Sequence, residues 1–138
     1  RKGIFPQPEH DPIIQIGNVV TIYGLVDKLL KVVFTLGSCA SIVGALVMSF
    51  ENEKDLLRAW AKFIVEVDPD IITGYNIFNF DTPYIIDRAI HLNVSEIQHI
   101  GRIKSEKSVV KSSTFQNRAF GKRDNKQTNI SGRYFPKF

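Results

Sequence analysis

The sequence predicts an α/β domain, and three stretches carry that expectation. Ile13 to Tyr23 is rich in the β-branched residues that strands favour: Ile13, Ile14, Ile16, Val19, Val20, Thr21 and Ile22. Glu51 to Val67 repeats apolar residues at three- and four-residue spacing, as an amphipathic helix does. Asp68 to Asp87 passes from a short buried strand (Ile71, Ile72, Thr73), through a loop opening at Gly74, into a second helix near Pro83. A strand handed to a helix in this way belongs to α/β architecture. Periodicity supports three early strands, a helix, a strand and a helix, and leaves the strand order open.

Taken in order, Arg1 to Pro12 is a loop by its glycine, three prolines and mixed charges. In the first strand Ile14, Ile16, Val20 and Ile22 share a face, with Gly17-Asn18 marking a twist or bulge. Gly24 to Leu30 is the expected connection to a second strand, Lys31 to Leu36, the two forming an antiparallel ribbon. Ala45 to Phe50 is a third strand. In the long helix Asn52 is the cap, with Asp55 three residues on. Leu56, Leu57, Trp60, Phe63, Ile64 and Val67 form its apolar face, so Trp60 belongs to the core. Asp68-Pro69 ends it, because a residue before proline avoids helical dihedrals. In the second helix Thr82 is the expected N-cap and Pro83 the first helical residue. Ile85, Ile86, Ala89 and Ile90 make its buried side.

One domain suits 138 residues, and no apolar run is long enough to span a bilayer; Ser41 to Phe50 is core. Cys39 is the only cysteine, which excludes an internal disulfide and a cysteine metal cluster and suits a reducing compartment. His91 and His99 lack partners at metal-binding spacing and read as surface residues, while His10 sits in the Pro-Glu-His-Asp-Pro loop, where a structural role is as open as any other. The net charge of +4 is unevenly spread. After Gly101 ten bases (Arg102, Lys104, Lys107, Lys111, Arg118, Lys122, Arg123, Lys126, Arg133, Lys137) face only Glu106 and Asp124. Such a segment is equally a nucleic-acid surface or a solvated tail. Short apolar pairs there (Val109-Val110, Thr114-Phe115, Ala119-Phe120) suit a hairpin with a polar loop around Gly121 to Asn125.

Asp81 stands beyond the carboxyl end of the 71–73 strand, the edge where α/β sheets build their sites. One account makes it a helix-flanking carboxylate that helps the dipole, worth about 1 kcal/mol. The other comes from its neighbours. Gly74-Tyr75-Asn76-Ile77-Phe78-Asn79-Phe80-Asp81, led in by Asp68-Pro69-Asp70-Ile71-Ile72-Thr73, resembles the second exonuclease motif of the family B DNA polymerases. Arg1-Lys2-Gly3-Ile4-Phe5-Pro6 with Pro8-Glu9-His10-Asp11-Pro12, and Ser112-Ser113, Phe115-Gln116 and Gly121-Lys122-Arg123-Asp124, extend the resemblance to that family's eukaryotic replicative branch. It covers nearly the whole chain and weakens only over the last few residues.

The resemblance implies a ribonuclease H-like 3′–5′ exonuclease fold, a mixed sheet with flanking helices, incomplete at both ends. It implies that residues 1–138 are part of a proofreading domain, with a basic hairpin-like region at about 101–130. Asp81 would be a catalytic carboxylate and metal ligand, and Asn76 and Phe80 would lie on the substrate side. Lys122 and Arg123 would contact DNA. The implied cofactor is Mg2+, since removing a terminal nucleotide by water uses two such ions held by converging carboxylates. The implied partners are the single-stranded primer 3′ end of DNA, deoxynucleotides, accessory subunits and a sliding clamp, in the nucleus. The family's first motif, Asp-x-Glu, is expected just ahead of Arg1, and its third, a Tyr and an Asp at short spacing, downstream. The chain is therefore expected to be an interior fragment, inactive alone. A non-catalytic DNA-binding module and a structural domain with a basic tail are the rival classes.

Overall fold

The β-branched N-terminal region forms an antiparallel ribbon, β1 (Gln15–Ile22) with β2 (Leu25–Leu36), to which β3 (Leu46–Phe50) adds in parallel. The computed structural model describes residues 5–117 and 121–136, leaving aside the side chains at 26–28, 111–117 and 121–127. The ribbon turns at Tyr23-Gly24, with Gly24 at φ 85°, so the connection is shorter than Gly24 to Leu30 and β2 correspondingly longer. Pairing continues through Gly17-Asn18, and the irregularity falls at Thr21/Ile22 instead. Asn18 is used differently: its Oδ1 accepts from Trp60 Nε1 at 3.0 Å. Residues 37–45 reverse the chain between parallel neighbours, and nine extended residues reach about 30 Å, ample for returning along a five-residue strand.

One face of this mixed sheet packs on α1 (Glu53–Val67). Val32 and Phe34 are buried there with Leu56, Leu57, Trp60, Ala61 and Ile64, and the Phe34 ring lies 5.4 Å from Phe63 and 6.2 Å from Phe50. Asn52 caps α1 as expected, accepting from the Asp55 N–H at 2.9 Å. Each large apolar side chain buried here contributes about 1.5–3 kcal/mol. Asp68 ends α1 in a left-handed conformation, φ 48°, with its N–H donated to Ile64 O.

The 71–73 strand is reduced to one parallel bridge, Ile71 to Tyr134, and Ile71 is 57% exposed, while Ile72 packs half-buried against the core. Among the described residues no strand of the three-stranded sheet pairs with it, so it is not a central strand here. Helix α2 spans Asp81–His91 and buries Pro83, Ile86 and Ala89, whereas Ile90 is exposed. Arg88 on the same helix is buried as well, which the apolar spacing did not anticipate. A short 3₁₀ turn, Ser95–His99, adds Ile97 to the core beside Val94 and Ile100; nothing in its five residues repeats long enough to announce it.

Finally β4 (Val109–Asn117) and β5 (Gly121–Asn129) form an antiparallel hairpin of their own. Pairing runs to Asn117 with Gly121, so Gly121 to Asn125 are strand and not the polar loop. Residues 118–120, and with them the expected Ala119-Phe120 pair, lie outside the described residues. The root of the hairpin is held by Val110 and Ile130, which join the core. Among the described residues no helix is long and apolar enough to cross a membrane.

Candidate active site

The stretch from Gly74 to Asp81 is a turn whose shape comes from its own asparagines. Asn76 adopts φ 54°, a left-handed conformation that Asn tolerates better than most residues. Its carbonyl accepts from the N–H groups of Asn79 and Phe80, both at 3.2 Å, and its Oδ1 accepts from Asn79 Nδ2 at 3.0 Å. Thr82 N–H donates to Ile77 O at 2.8 Å, and the helix starts two residues earlier than expected. Asp81 is therefore the first residue of α2 and Phe80 its cap, without a side-chain capping bond; Thr82 is buried inside the first turn. Pro83 sits where no intrahelical donor is needed.

Asp81 is exposed, in the first turn of α2, and makes no hydrogen bond or ion pair among the described residues. Phe80 beside it is half-buried between two rings, Phe5 at 5.8 Å and Tyr84 at 5.9 Å. The structure thus brings Asn76, Phe80 and Asp81 into one turn. The Tyr84 ring meets Phe80, and its hydroxyl donates to Asp11 O at 2.6 Å. Burial, and then the Asp11 carboxylate, push the Tyr84 phenol above its usual pKa, so the hydroxyl keeps its proton. Lys122 and Arg123 occupy adjacent positions of β5, opposite Gln116 and Phe115, and their side chains lie outside the described part.

Asp68 and Asp70 are engaged elsewhere. Asp68 binds Arg102 Nε and Arg133 Nη1, both at 2.8 Å, and Asp70 binds Arg102 Nη2 at 2.7 Å. The bond from Arg102 first, then that from Arg133, hold the Asp68 carboxyl below the usual range. Arg102 and Arg133 therefore leave the basic surface that composition suggested; the Arg133 side chain, 2% exposed, also donates to Ile100 O and Pro69 O. Among the described residues no three Asp, Glu, His or Cys side chains converge. Asp81 alone does not fit a pair of magnesium ions, which need several carboxylates, and no hydrolytic step follows from these residues by themselves.

Sequence reasoning missed a second cluster beside the turn. Glu53, at the start of α1, holds Arg88 of α2 through two bonds, Nε to Oε1 at 2.9 Å and Nη2 to Oε2 at 2.7 Å. Both side chains are only 9% exposed, and the bond from Glu53 raises the Arg88 pKa further above its already high value. The available signal was a charged residue inside the apolar side of α2, at Arg88 next to Ala89.

Comparison with known proteins gives this geometry its setting. Residues 1–135 match the family described as DNA polymerase family B, exonuclease domain. The chain is 51% identical over 97% of its length to the DNA polymerase delta catalytic subunit of Arabidopsis thaliana. It is 50% identical to that of Glycine max and 46% identical to that of Candida albicans, each over 96% of this chain. It spans only 12% of the length of the first two of these proteins and 13% of the third. With the turn at Asn76, the Asp81 that follows it and a match across nearly every residue, the chain belongs to the exonuclease domain of the family B DNA polymerases.

Proposed function

We propose that this chain is part of the 3′–5′ proofreading exonuclease of a replicative, DNA-directed DNA polymerase, built on a ribonuclease H-like fold. The observation that carries it is Asp81: an exposed carboxylate without a partner among the described residues, at the first turn of α2, in a chain of this family. A carboxylate left to water where a turn enters a helix suits a hard cation. Asp81 supplies one ligand of a Mg2+ site whose further carboxylates come from outside these residues. Bound there, the ions would activate water and stabilise the leaving oxygen. Asn76 shapes the turn that presents Asp81, and Phe80 lines the place of the unpaired primer end. Lys122 and Arg123 on the β4–β5 hairpin meet the phosphate backbone. The names of the relatives support replication as the setting. Nuclear location, deoxynucleotides, accessory subunits and a sliding clamp follow for the whole protein.

The test is Asp81→Ala in the full-length polymerase in which this chain is proposed to lie. Excision of a mismatched primer end should be abolished, while extension of a matched end is nearly intact. Equal loss of both activities would return Asp81 to a role in holding the start of α2.

A further inference from the structure

Phe80, Tyr84 and Arg88 stand four residues apart, so they line one side of α2 and its lead-in. All three reach the same N-terminal segment. Phe80 meets the ring of Phe5 edge-on, Tyr84 Oη donates to Asp11 O at 2.6 Å, and Arg88 Nη1 donates to Pro8 O at 2.8 Å. From α1, Glu53 Oε1 accepts the N–H of Ile13 at 2.7 Å while its carboxylate holds Arg88. Side chains of two helices thus grip main-chain atoms at Pro8, Asp11 and Ile13. Pro6, Pro8 and Pro12 have no N–H, so this segment cannot build a ladder of its own there.

A buried ion pair is a weak source of stability, because desolvation offsets most of the attraction and an apolar pair would fill the space as well. An apolar pair would not fix the direction of two backbone groups. The segment held in this way ends at Phe5 against Phe80, one residue before Asp81.

We infer that Glu53, Arg88 and Tyr84 are positioning residues for excision: they lock segment 7–13 onto α1 and α2, and so fix the turn that presents Asp81. This rests on the proofreading role proposed for Asp81. None of the three needs to touch the DNA.

The experiment uses the full-length polymerase, Mg2+ and a single-stranded oligonucleotide with a labelled 5′ end. Single-turnover excision is measured beside oligonucleotide affinity, extension of a matched primer and the melting temperature. Arg88→Lys keeps the charge but cannot hold Glu53 and Pro8 together, and Tyr84→Phe removes only the hydroxyl. Arg88→Lys should slow the single-turnover step about ten- to hundredfold, the usual effect of losing a group that orients a site. Tyr84→Phe should slow it several-fold. Affinity should change by less than about twofold, with extension unchanged in both variants and melting unchanged in Tyr84→Phe, while Arg88→Lys melts somewhat lower because a buried pair is loosened. If Arg88→Lys fails to fold, Tyr84→Phe decides. Unaltered excision in both variants, with Asp81→Ala inactive, overturns the inference and leaves the proofreading role standing. Parallel loss of excision, extension and melting temperature also overturns it, since the cluster would then only hold the fold. Excision that survives Asp81→Ala removes the proofreading role and the inference together.

Discussion

Arg133→Ala should be among the most destabilising single changes in this protein, although composition placed Arg133 in a basic surface. Its side chain donates to Ile100 O at 2.9 Å and to Pro69 O at 2.7 Å. A hydrogen bond involving a charged group contributes about 1.5–3 kcal/mol, and an orphaned buried acceptor costs about 1–3 kcal/mol. The contact with Asp68 adds little to this sum, because Asp68 is more than half exposed and keeps Arg102. Water entering the vacated space returns part of the loss, leaving about 3 kcal/mol from the two carbonyls. Trp60, the one tryptophan and buried in the core, reports unfolding by its fluorescence. With a urea slope of about 1–3 kcal/mol per M, the midpoint should fall by about 1–3 M. Arg133→Lys restores a charge near Asp68 but not the planar fork, and should recover less than half of the loss. A midpoint within about 0.3 M of the parent, or a lysine variant equal to it, would refute the assignment.

Two further outcomes are expected. The Asp68 carboxyl is depressed by Arg102 and Arg133, so its contribution is fully present above the unfolded value near about pH 3.9 and is lost as pH falls through the folded value. The difference in urea midpoint between the parent and Asp68→Asn should therefore shrink below about pH 4; a difference constant into strong acid would contradict the pairing. Lys122→Ala with Arg123→Ala, in the full-length polymerase, should flatten the log–log salt dependence of DNA binding by about one to two units whatever the base sequence. An unchanged slope would remove both residues from the DNA surface.

The parts that could be read from the sequence are those where one signal is long and local. Helix α1 has four turns of apolar repeat and a capping asparagine, and it forms within two residues of its expected start. The ribbon was visible in its β-branched residues, but its connection was expected over the whole of Gly24 to Leu30. The true turn needed only Gly24 in a left-handed conformation. Ile90 was expected inside because its spacing from Ile86 is helical. It is outside, while Arg88 on the same helix is buried against Glu53. No spacing rule joins Arg88 to Glu53 or to Pro8, which lie 35 and 80 residues away. The candidate site divides in the same way: Asn76, Phe80 and Asp81 fall within one turn and were found together. The partners that fix the turn come from Phe5 and from the helix face beyond it.

The clamp around Asp68 also bears on the order in which the chain assembles. Arg133 and Asp68 are 65 residues apart in sequence. Closing an open loop of that length costs roughly 4 kcal/mol of chain entropy, more than the two carbonyl bonds of Arg133 return. The sheet and α1, by contrast, come from one continuous run, Gln15 to Val67, whose contacts are nearer in sequence. The ribbon and α1 are thus placed to form first and to shorten the effective loop. The clamp then closes late, and the β4–β5 hairpin reaches its final seat only after the rest of the core has been built.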